Sequence, residues 1–66
     1  MIVLLNGERV ELDGPMTVSD LLSRLDIDAR TVAVEHNIVV VKRTAFGETL
    51  VREGDQIEIV NFVGGG

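Results

Sequence analysis

The sequence closes on Gly64-Gly65-Gly66. Glycine brings no side chain, so the chemistry on offer is that of a backbone and a carboxylate. A carboxylate is a poor acyl donor, because its charge and resonance repel nucleophiles. As an acyl adenylate it gains a good leaving group, AMP, and holding the reactants together supplies much of the remaining acceleration. Glycines suit such a terminus. Without Cβ they adopt conformations other residues avoid and can enter a narrow channel. A flexible glycine run can also visit more than one active site. Each docking orders the run at roughly 1–2 kcal/mol per residue fixed, which the folded part must offset through its own interface. A frayed end or a cloning remnant would leave the same three letters.

The rest of the catalytic inventory is thin. There is no cysteine, which excludes disulfides, thiolate nucleophiles and Cys-ligated zinc, so any sulfur must come from outside. His36 is the one histidine. A metal site needs several ligands, and His36 reads as a turn residue. Glu53 and Asp55 flank Gly54 and read as solvated turn carboxylates that could meet basic partner residues. No phosphate-binding pattern surrounds Asn6-Gly7 or Gly54. Val60, Phe62 and Val63 stand just before the glycines. They fit ordinary strand packing, or an exposed apolar patch for docking a partner.

At 66 residues the chain can form one domain, and 45% apolar content suffices for one core. A domain this small buries about 60% of the surface of its unfolded chain, leaving little for a deep cavity. Six basic against eleven acidic residues give a net charge of −5. That field is the wrong sign for nucleic acid and steers the chain toward basic partner surfaces. Met1 to Leu5 has no basic lead and a short apolar run, so neither a signal peptide nor a membrane span is expected. The expected location is the cytoplasm.

The elements follow from pattern. Ile2 to Leu5 is a continuous apolar run, expected as a strand covered on both faces. Asn6-Gly7 favours a type I′ turn, and Glu8 to Leu12 alternates as the returning strand. Thr17-Val18-Ser19-Asp20 fits a capping box. Val18, Leu21, Leu22 and Leu25 then form one apolar stripe of a two-turn helix ending near Asp26, with Asp20 and Arg24 paired on its wet face. Val32 to Glu35 and Ile38 to Val41 read as strands around a His36-Asn37 turn. Thr44 to Thr49 reads as a loop, Glu53-Gly54-Asp55 as a turn, and Gln56 to Phe62 as the last strand. The crossover rule lays the helix across one face of a mixed sheet whose first and last strands form the central pair. The expected class is α+β: about five strands on one short helix, with residues 1–63 folded and residues 64–66 as a tail.

The Asn6-Gly7-Glu8 hairpin, Thr17-Val18-Ser19-Asp20-Leu21-Leu22, Val32-Ala33-Val34-Glu35-His36-Asn37, Gly54-Asp55-Gln56-Ile57 and the terminal glycines resemble, in order and spacing, the ThiS sulfur-carrier family of thiamine biosynthesis. The resemblance covers nearly the whole chain. It implies the β-grasp, or ubiquitin-like, fold and a carrier that is not itself an enzyme. A ThiF-like adenylating enzyme would activate the Gly66 carboxylate with ATP and magnesium. Sulfur from a cysteine-desulfurase-derived persulfide would replace AMP to give a thiocarboxylate, and thiazole synthase would accept that sulfur. Gly65 and Gly64 would thread the partner's channel, with Val63, Phe62 and Val60 as docking surface. The chain itself would bind no cofactor. It departs from the family in having Lys42 and Phe46 near the places of a proline and a tryptophan, a change bearing on partner contacts, and in ending on three glycines instead of two. The small subunit of molybdopterin synthase is similar in fold and activation, but its proline-containing lead into Gly-Gly is absent from Asn61-Phe62-Val63. A ubiquitin-like modifier and a β-grasp binding module with inert glycines are the other readings.

Overall fold

The computed structural model describes residues 1–62. The chain runs β1 (Ile2–Leu5), β2 (Glu8–Glu11), β3 (Met16–Thr17), α1 (Val18–Arg24), a 3-10 turn (Ala29–Thr31), β4 (Val32–His36), β5 (Val39–Val41), a second 3-10 turn (Arg43–Ala45), β6 (Leu50–Val51) and β7 (Gln56–Asn61). Five strands form a mixed sheet in the order β2-β1-β7-β4-β5. The expected central pairing is present: β1 and β7 run parallel, with Leu4 opposite Gln56 and Leu5 opposite Ile57.

Local chemistry explains the elements. Asn6 and Gly7, at φ 51° and 83°, close the first hairpin with Leu5 opposite Glu8. Positive φ at both central positions is what a type I′ turn requires. Helix α1 begins at a complete capping box. Thr17 Oγ1 accepts from the Asp20 amide at 3.1 Å, and Asp20 Oδ2 accepts from the Thr17 amide at 3.3 Å. It ends in a Schellman arrangement around Asp26 at φ 59°. The Ile27 amide reaches the Leu22 carbonyl at 2.9 Å, and the Asp26 amide reaches Ser23 at 3.1 Å.

Three details differ from the sequence reading. The second hairpin turns at Asn37-Ile38, one residue later than expected, and His36 belongs to β4. Arg24 pairs with Asp13 at 2.6 Å, because Asp20 is engaged in the cap. Strands β3 and β6, to which the sequence pattern assigns no strand, form a second two-stranded sheet with Met16 opposite Val51. Two-residue strands are too short to show a period.

The core lies between the five-stranded sheet and α1. Val3, Val34 and Ile57 from the sheet meet Val18, Leu21 and Leu22 from the helix, all at 1% exposure or less. Phe46 is 3% exposed and closes one end of this core. Phe46 itself thus serves packing and offers almost no contact surface. Its carbonyl also accepts from the Ser19 amide at 2.9 Å.

Candidate functional site

Strand β7 is the structural base of the candidate site, and both its neighbours hold it. On the β1 side, the Asn6 amide donates to the Ile57 carbonyl at 2.8 Å. One step further, Asn6 continues the pairing with its side chain. Oδ1 accepts from the Ile59 amide at 2.8 Å, and Nδ2 donates to the Ile59 carbonyl at 3.3 Å. On the β4 side, five residue pairs run from His36–Ile57 to Val32–Asn61. The Phe62 amide then donates to the Thr31 carbonyl at 3.1 Å.

Thr31 is placed by Asp28, which caps the first 3-10 turn. Asp28 Oδ1 accepts from the Arg30 amide at 2.9 Å, and the Thr31 hydroxyl donates to the Asp28 carbonyl at 2.7 Å. The Arg30 guanidinium grips the same carboxylate through Nε at 3.1 Å and Nη2 at 2.8 Å. Arg30's hydrogen bonds lower the Asp28 pKa to about 2.

Val60 and Phe62, read as docking surface, are 56% and 58% exposed. Val60 is directly opposite exposed Ala33 on the sheet face turned away from α1. On this same face Glu58 stands opposite Glu35, which in turn stands opposite Val40. Ala33, Glu35, Glu58 and Val40 were missing from the sequence reading, because only strand register assembles them on one face with Val60. The face combines apolar side chains with two adjacent carboxylates, which suits a partner presenting apolar groups and a cation. Val63, Gly64, Gly65 and Gly66 lie outside the described residues.

The other end of β7 corrects one expectation. Asp55 is not a solvated turn carboxylate. Its Oδ2 lies 2.7 Å from His36 Nε2 and accepts from the Arg52 amide at 2.9 Å, while Oδ1 accepts from Asn37 Nδ2 at 3.2 Å. Burial raises its pKa, but the hydrogen bonds from His36, Arg52 and Asn37 outweigh that and hold it below the ordinary value. Asn37 also accepts from the Gln56 amide through Oδ1 at 2.9 Å. Glu53, though exposed, accepts from the Ile2 amide at 3.0 Å. The cluster joins the β4–β5 hairpin to the start of β7, which gives it a structural task.

Among the described residues, no group of three or more His, Asp or Glu could hold a metal ion. No helix among them is long and apolar enough to cross a membrane.

Comparison with known proteins adds the family. A crystal structure of thiamine biosynthesis protein ThiS from Geobacter metallireducens superposes with a TM-score of 0.88, at 40% identity over 100% of both chains. The sulfur carrier protein ThiS of Bacillus subtilis is 36% identical over 63 residues, covering 94% of this chain and 96% of its own. A thiazole synthase of Paramagnetospirillum magneticum is 42% identical over 66 residues, all of this chain but 20% of its own length. This chain thus spans about a fifth of that relative. A model of the ThiS family matches residues 3–66, through the last of the three glycines. With the matching β-grasp fold, this places the chain in the ThiS family.

Proposed function

We propose that the chain is a sulfur carrier of thiamine biosynthesis that works through the Gly66 carboxylate. Residues 1–63 serve as the folded carrier and residues 64–66 as the reactive tail. An adenylating enzyme joins the carboxylate to the α-phosphorus of ATP, with magnesium as its aid, and pyrophosphate leaves. A persulfide sulfur then attacks the acyl carbon and expels AMP. Cleavage of the sulfur–sulfur bond by a thiol leaves the thiocarboxylate. Thiazole synthase is the proposed acceptor, supported by the match to a segment of relatives bearing that name.

The observation that carries the reading is the family match, which runs through Gly66 on a chain whose central strand β7 leads directly into the glycines. The chain supplies geometry: a rigid base, an exposed apolar and acidic face beside it, and a tail without side chains. The catalytic groups belong to the partners, and the proposed setting is the cytoplasm, where ATP is available.

Intact mass tests this. The chain is mixed with an adenylating enzyme, ATP, magnesium and a sulfur source, beside a chain lacking Gly66. Replacement of one oxygen by sulfur on the intact chain alone is the expected result. Neither adenylate nor sulfur gain would leave the inert-tailed binding module as the better reading.

A further inference from the structure

β5 is one of the two outer strands of the five-stranded sheet and, among the described residues, pairs only with β4. Its two-residue turn makes His36 and Val39 exchange both backbone hydrogen bonds, and Val34 and Val41 repeat this two residues on. The amide and carbonyl of Val40 therefore point outward. Protein edges are usually blunted by lysine, proline or a bulge. This one carries three consecutive valines, with Val39 and Val40 at 65% and 67% exposure.

The turn beside it adds a second oddity. Ile38 is 85% exposed and sits at φ 64°. The left-handed conformation costs an L-residue roughly 1–2 kcal/mol, and here no burial offsets it. On the helix side of β5 lies an open hollow of about 350 Å3, lined by His36, Val39, Val40, Val41, Lys42, Ala45 and Thr49. Lys42 and Arg43 follow the strand as consecutive cations on a chain of net charge −5. Lys42 has no carboxylate partner among the described residues.

We infer that β5 is a strand-addition site for an extended, apolar segment of a partner protein flanked by acidic residues. The segment pairs its backbone with Val40. Because side chains alternate along a strand, every second one faces the hollow, which accepts an apolar group. The acidic flank meets Lys42 and Arg43. A second copy of this chain is a poorer occupant. Antiparallel pairing about Val40 would set Lys42 of one copy beside Ile38 of the other, and would bring no anion. The inference uses the outward backbone of Val40, not its side chain on the Glu35–Glu58 face, and does not rest on the terminal chemistry.

The test is an amide-shift titration of the intact chain. The probe is a blocked synthetic peptide with a run of valines and isoleucines next to a run of aspartates. Its control has lysines in place of the aspartates. Saturable shifts confined to Ile38–Lys42 and Ala45–Thr49 are expected with the aspartate peptide. Val40→Pro removes the outward donor without touching a bond to β4, and should weaken binding about tenfold, as lost pairing and steric exclusion combine. Ala45→Leu fills the hollow from outside the strand and should weaken it similarly, which keeps the test valid if the proline variant misfolds. Lys42→Glu should abolish the preference for aspartate over lysine flanks. Absent saturation, shifts centred on Val60 and Ala33, or affinity unchanged by both Val40→Pro and Ala45→Leu would overturn the inference. So would a dimer in sedimentation that Val40→Pro dissolves, which would assign the edge to a second copy.

Discussion

Asn6 and Ile59 are 53 residues apart in sequence, yet the side-chain amide of one pairs with the main chain of the other through both its oxygen and its nitrogen. The turn residue of the first hairpin thereby acts as one further rung of β1, where that strand has already turned away. Asn37, the corresponding turn residue of the second hairpin, accepts from the Gln56 amide. The two asparagines share φ 51°. Each fixes a different point along β7 from an opposite side.

Asn6→Gly separates the turn from the clamp. Glycine accepts the positive φ freely, so only the two hydrogen bonds to Ile59 are lost. At about 0.5–1.5 kcal/mol each, the variant should lose about 1–3 kcal/mol in urea denaturation. Asn6→Ala should lose about 1 kcal/mol more, since it adds the left-handed penalty. Equal losses in the two variants would mean that the conformation of Asn6 contributes little.

Ile38→Gly should stabilise the chain. Relief of the left-handed penalty contributes about 1–2 kcal/mol, and the added freedom of the unfolded chain removes about 0.4–1 kcal/mol. A net gain of up to about 1.6 kcal/mol should appear as a raised thermal midpoint. A lower midpoint would show that Ile38 makes stabilising contacts despite its exposure.

Asp55→Asn should flatten the acid side of the stability profile. The Asp55 pKa is lower folded than unfolded. Its contribution is therefore fully present above the unfolded value, about 3.9, and is lost as pH falls through the folded value. The same sign applies to Asp28, at about 2. Between pH 4 and pH 2, taken as approximate bounds from those carboxylate values, stability of the variant should fall less steeply. At neutral pH it should be less stable by about 1–3 kcal/mol, through weakened bonds to His36 and the Arg52 amide. Denaturant midpoints across pH provide the check.

Glu58→Gln should stabilise the free chain and weaken its use by the adenylating enzyme. Glu58 and Glu35 are directly opposite on neighbouring strands, an arrangement that costs about 0.2–1 kcal/mol. Removing one charge should recover that amount, measured by denaturation. If the face meets a basic partner surface, kcat/KM for adenylation should drop about tenfold, and less so at high salt. An unchanged kcat/KM would place partner docking on another face.

Much of the fold was legible because it depends on neighbours in sequence. The Thr17–Asp20 capping box, the Asn6-Gly7 turn and the apolar stripe of α1 are short-range patterns, and each stands as read. The central β1–β7 pairing also followed, since both strands are richly apolar. Relations that depend on register were hidden. Nothing in the sequence alone places Ala33 beside Val60, or Glu35 beside Glu58. Asp55 resembled any turn carboxylate until the fold brought His36 to 2.7 Å from it. Phe46 lacked a periodic context, so its place in the core was equally hidden.

The parallel alignment of β1 and β7 has a mechanical consequence. β1 follows directly from Met1, and β7 ends at Asn61, so tension between the two ends of the fold slides these neighbours lengthwise past one another. In that geometry the rungs of the ladder bear the load together, instead of opening one after another like a zip. Under the proposed function, a pull on the glycines against a domain held at β1 loads the sheet along that direction.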